Sequence, residues 1–197
     1  MNVLSINGLA FQLRSALSGS RPQVSGPLDR NSFNVLDEAA LGHAIETVGG
    51  LCRISPDTDV ADANRAVGFV QGCLWVLKIM TVAEMAEQVR TAGAKEIPCR
   101  GGLAAELMAS IARCVGVLEQ MRIDPCKHSM DKFCSSRHAA LGHAAWMLAE
   151  LPPMIEAGKL LKASRWTGFV EGCLWLGHVL SLAEIERSRT AAIPPPA

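Results

Sequence analysis

One hexapeptide occurs twice in this chain. Ala39-Ala40-Leu41-Gly42-His43-Ala44 returns letter for letter as Ala139-Ala140-Leu141-Gly142-His143-Ala144, a shift of 100 residues. A second block, Arg65-Ala66-Val67-Gly68-Phe69-Val70-Gln71-Gly72-Cys73-Leu74-Trp75, returns at the same shift, from Arg165 to Trp175, with eight of eleven positions identical. A bias toward Ala, Gly and Leu cannot place Arg, Phe, Cys and Trp in register, and the common shift fixes the net length between the blocks. The pattern reads as a tandem duplication, with repeat 1 over residues 1–94, repeat 2 over 101–190 and an extended, flexible tail at 191–197. Lys95 to Gly102 supplies the Pro and Gly punctuation between them. Half a chain of this length buries its own apolar surface poorly. The expectation is therefore one intertwined domain, its halves related by a pseudo-twofold like an isologous dimer fused into one chain.

The repeated blocks carry helical spacing. Arg65, Gly68, Phe69, Gly72, Trp75 and Val76 lie along one side of a helix. Two glycines inside a helix cost about 1 kcal/mol each against alanine, so the pair predicts a site where another backbone comes close. The helices carrying Gly68, Gly72, Gly168 and Gly172 are thus expected to cross each other. Thr81-Val82-Ala83-Glu84 and Ser181-Leu182-Ala183-Glu184 are capping boxes that end one helix and start the next, over Val82 to Thr91 and Leu182 to Arg189. Further helices are expected over Leu4 to Leu17, Leu36 to Leu51, Leu103 to Gln120 and Ser135 to Leu151, the last closed by Pro152-Pro153. Ser18 to Ser32 reads as a loop. Tyrosine is absent and alternating apolar segments are scarce, so the prediction is an all-α bundle of about eight helices.

Composition narrows the function classes. Hydrophobic residues make up 49% and charged residues 19%, and 19 basic side chains cancel 19 acidic ones. This excludes a disordered chain and gives no cationic excess for binding nucleic acid, so no nucleic-acid partner is expected. The step before each short third helix resembles a helix-turn-helix, but the following helix is acidic or nearly neutral. No run reaches the roughly 18 apolar residues of a membrane span, and residues 1 to 17 show no secretory pattern. Seven cysteines without close pairing fit reduced thiols. A cytoplasmic protein, inclined to self-association by its zero net charge, is expected.

Four histidine and arginine positions repeat with the blocks. His43 and His143 read first as core histidines bonded to a carbonyl or carboxylate, and Arg65 and Arg165 as partners of carboxylates. Glu84 and Glu184 are committed to capping, which leaves Glu38, Glu46 and Glu150 as candidates. The alternative is a shared pocket in which Arg65, Arg165, His43 and His143 hold an anionic small molecule or nucleotide between the repeats. Cys126, His128, Cys134 and His138 fall within thirteen residues and supply the soft ligands of a structural zinc site. Their spacing matches no standard finger, and free thiols beside solvated histidines is the preferred reading. No G-x-S-x-G, P-loop, G-x-G-x-x-G or H-E-x-x-H motif is present, and Cys73 and Cys173 lie in apolar runs where a thiol is inert. Neither an enzyme nor a cofactor is expected.

The string Arg-x-x-Gly-Phe-Val-x-Gly-Cys-Leu-Trp followed by Thr or Ser-x-x-Glu, over Ala63 to Ala86 and Ala163 to Arg187, resembles a motif of small helical proteins of phages and prophages whose function is undefined. The resemblance covers about a quarter of the chain. It implies a mobile-element accessory protein acting stoichiometrically on a host or defence protein, in the manner of an anti-CRISPR. The leading expectation is accordingly a helical binding protein that presents a charge-poor face to a protein partner or a second copy of itself. The pocket protein is the alternative.

Overall fold

A computed structural model describes residues 3–18, 28–55, 57–93 and 98–190. The tail at 191–197 and most of the Ser18 to Ser32 loop lie outside the described residues. Those residues form eight helices and no strand, in the order α1 (Val3–Leu17), α2 (Asp37–Leu51), α3 (Val60–Val76), α4 (Val82–Thr91), α5 (Leu103–Gln120), α6 (Arg137–Glu156), α7 (Leu160–Leu176) and α8 (Leu182–Thr190). None is long and apolar enough to cross a membrane.

Local chemistry accounts for the boundaries. The Asp59 carboxylate accepts from the amides of Ala61 and Asp62, so α3 starts one turn ahead of Arg65, which sits in the second turn. Thr81 and Ser181 each accept from the amide of the glutamate three residues on, while Glu84 and Glu184 accept from the cap amides in return. Ahead of these caps the chain turns through Lys78 (φ 60°) and His178 (φ 62°). The amides of Ile79 and Val179 there donate back to Leu74 and Leu174, the six-to-one bond of a Schellman close.

One expected boundary is wrong. Helix α6 runs through Pro152-Pro153 to Glu156 and ends at Gly158 in the left-handed region. Each proline forfeits a backbone hydrogen bond, but Leu151 and Ile155 on either side are buried in the core, and their packing holds the extra turn.

Helices α3 and α7 form the centre and are buried on almost every side. Helix α2 packs on α3 and α6 on α7, with α1 and α5 covering the outside of α2 and α6. The glycines explain the close crossing. A Cβ placed on Gly68 would fall under 3.0 Å from the Arg165 carbonyl, and one on Gly168 under 3.0 Å from that of Arg65. Gly72 faces the Phe169 carbonyl and Gly172 that of Phe69 in the same reciprocal way. Two further contacts interlock the chain: the Ala83 amide donates to Met130 O at 2.8 Å, and the Ala183 amide to Arg30 O at 2.9 Å. Around the crossing, Phe69 stacks on Trp175 (5.4 Å between centroids) and Phe169 packs at a tilt on Trp75 (5.6 Å).

Candidate functional site

Flanking the crossing are two clefts built from positions 100 residues apart. The first, about 300 Å³, takes Val82, Met85, Ala86 and Val89 from α4, and His143, Met147, Trp166 and Phe169 from α6 and α7. The second, about 170 Å³, takes Leu182, Ile185, Glu186 and Arg189 from α8, and His43, Thr47, Ala66 and Phe69 from α2 and α3. Their chemistry differs. In the second, Glu186 is bridged by Arg30, and Arg189 donates to Glu171 at 2.7 Å, so its charges are engaged internally. The first is walled by aromatic and methionine side chains, with Trp146, Lys127, His128, Lys162 and Arg165 completing it. At 46, 62 and 66, the positions matching Trp146, Lys162 and Trp166, the first half carries Glu46, Asp62 and Ala66.

Gln71, in the wall of the larger cleft, matches Glu171 of the other half, which lies in the core outside the smaller cleft. Glu171 is 2% exposed and accepts from Arg65 Nε (3.1 Å), Arg65 Nη2 (2.5 Å) and Arg189 Nη2 (2.7 Å). Burial opposes its charge, but the two guanidiniums outweigh that and hold its carboxyl below the ordinary value. Burial likewise opposes the Arg65 charge, and Glu171 reverses the balance so that its pKa is raised. The matching residue in the larger cleft is Gln71. It is 4% exposed, and its amide nitrogen Nε2 has no hydrogen-bond partner. Arg165, the match of Arg65, donates from Nη1 to Asn64 Oδ1 at 3.4 Å.

His143 is packed between Trp75 (4.9 Å) and Trp146 (5.2 Å), and its Nδ1 accepts from the His128 amide at 3.1 Å. Burial first, and then the positive charges of His128 and Lys127, push its pKa down to about 4. The ring is therefore neutral at pH 7, with its proton on Nε2. Lys127 lies over the Trp146 ring (5.0 Å) and Lys162 over Trp166 (5.1 Å), so ammonium groups and indole faces meet at the cleft. Among the described residues the lining holds no carboxylate, hydroxyl or thiol. Such a surface can hold an anion against flat apolar walls without charge repulsion.

The four residues that the alternative reading placed in one pocket do not converge. His143 and Arg165 line the larger cleft, His43 lines the smaller one, and Arg65 is spent in the core on Glu171 and on Ser110 (3.0 Å). The Arg65 partner is thus none of Glu38, Glu46 and Glu150. Its signal in the sequence was the Gln71/Glu171 mismatch inside an otherwise apolar repeat. His143 is a core histidine as expected, but it accepts an amide and bonds to neither a carbonyl nor a carboxylate. Cys126, His128, Cys134 and His138 do not gather either. The Cys134 thiol donates to Ser136 O, His128 turns to the Trp75 ring, and no three His, Cys, Asp or Glu side chains group as for a metal among the described residues. The aromatic pair Trp146 and Trp166, and Gln71 itself, were missed.

Comparison with family models, with curated proteins and with solved structures gives no match for this chain.

Proposed function

We propose that the protein is a non-catalytic binding protein that takes a small organic anion into the cleft between α4, α6 and α7. The reading rests on one observation: of two clefts at matched positions, one is lined by Trp146, Trp166 and Lys162, while of the matching residues Glu46, Ala66 and Asp62 only Ala66 reaches the lining of the other. A cavity of about 300 Å³ with apolar walls and a few polar groups is the usual form of a small-molecule site. The same reading takes the two halves as copies of one unit, with one cleft kept open for a ligand.

Isothermal titration calorimetry of the full chain against AMP, quinoline-2-carboxylate, indole-3-acetate and decanoate tests it. Saturable binding of at least one anion, lost in Trp166→Ala and weakened in Lys162→Glu, is the expected result. Absence of binding by all four at millimolar concentration overturns it.

A protein partner or a second copy of the chain is the second reading, and it accords with the phage-type motif. It is favoured by Phe33 and Phe133, matched residues that are 46% and 47% exposed. A monomer by light scattering that is unchanged in Phe33→Ser/Phe133→Ser excludes the second copy.

A further inference from the structure

Gln71 narrows the ligand class. A buried amide donor left unbonded costs about 1–3 kcal/mol, and this one lies in the wall of the cleft. At the matched place in the other half the chain keeps the same side-chain length but has the acceptor Glu171. Gln71 therefore places an unbonded donor in the wall of this cleft, whereas Glu171 lies outside the lining of the smaller cleft and accepts from Arg65 and Arg189. Trp166 and Phe169 line the surrounding wall, and the cations Lys127, Lys162 and Arg165 share the same lining. A volume of about 300 Å³ is at the lower end for ligand sites, large enough for one fused ring system with one anionic group.

We infer that the ligand is a planar heteroaromatic anion: a ring with a hydrogen-bond acceptor on its edge for Gln71 Nε2, stacked on the aromatic wall, and a phosphate or carboxylate held by the lysines and Arg165. A nucleoside monophosphate and a heteroaromatic carboxylate share this chemistry. The inference rests on the binding function proposed above and adds the ring, the acceptor and the residue that reads it.

Calorimetry with the same four probes separates the two claims. AMP and quinoline-2-carboxylate carry ring acceptors, indole-3-acetate carries a ring without one, and decanoate carries no ring. At least one acceptor-bearing probe is expected to bind about tenfold or more tighter than indole-3-acetate, the worth of one buried hydrogen bond. Gln71→Leu should remove that advantage and leave indole-3-acetate affinity within about twofold, and Gln71→Glu should weaken every anion. Circular dichroism checks that both variants fold. If Gln71→Leu misfolds, Gln71→Met serves in its place. The stronger of AMP and quinoline-2-carboxylate names the source of the chemistry. Decanoate binding as tightly as the ring compounds, or an acceptor-bearing probe unaffected by the loss of the amide, overturns the inference while leaving an anion-binding protein. Binding by none of the four removes both.

Discussion

Replacing Gly68 by alanine tests the central crossing most directly. In a helix the substitution by itself gains about 1 kcal/mol, because alanine loses less backbone entropy than glycine. At Gly68 the new methyl would meet the Arg165 carbonyl oxygen and carbon, both under 3.0 Å away, and these are backbone atoms that cannot rotate aside. Helices α3 and α7 have to separate, which loosens the Phe69–Trp175 and Phe169–Trp75 contacts together. Overpacking of a tight core costs about 1–3 kcal/mol and sometimes more, and the rigid neighbour places this site at the upper end. The expected net loss is about 2 kcal/mol, or roughly 6 °C in Tm for a chain of this size. Gly116→Ala is the control: it lies inside α5 with nothing within 4 Å of the added Cβ, and should raise stability by about 0.5–1 kcal/mol. Gly68→Ala/Gly168→Ala should cost less than the sum of the two single changes, since the first already parts the same helix pair. Thermal melts followed by far-UV circular dichroism read all four variants. A Gly68→Ala protein that melts at or above the wild type refutes the crossing.

Glu171→Gln leaves Arg65 charged and buried without its carboxylate, and should lower the unfolding free energy in urea by about 3–5 kcal/mol. An unchanged urea midpoint contradicts the buried pair. His143 binds its proton more weakly folded, with a pKa of about 4, than unfolded at 6.5. Its stabilising contribution is therefore fully present above pH 6.5 and is lost as pH falls toward 4, about 3 kcal/mol over that window. His43, lowered first by burial, acts in the same direction. Urea midpoints from pH 7 to 4 should show the decline, and His143→Asn should flatten it; an equal slope in the variant assigns the decline to other groups.

What could be read from the sequence follows from where each piece of information sits. The helix pattern, the two capping boxes and the close-packed glycines are written in spacings of three and four residues, and those elements stand where the spacing put them. The end of α6 was misplaced because burial of Ile155 competes with the local rule for proline. The Arg65–Glu171 pair spans 106 residues and depends on how α3 and α7 cross, which no local pattern encodes.

The candidate site escaped notice for a more specific reason. The positions where the two halves agree are the residues that both need to build the crossing. Gln71 against Glu171, Ala66 against Trp166, Asp62 against Lys162 and Glu46 against Trp146 are disagreements. Scattered along the sequence they look like noise, yet in space they fall together around one cleft. In a chain built from two matched halves the shared residues describe the scaffold. The differences mark where one half carries side chains that the other lacks.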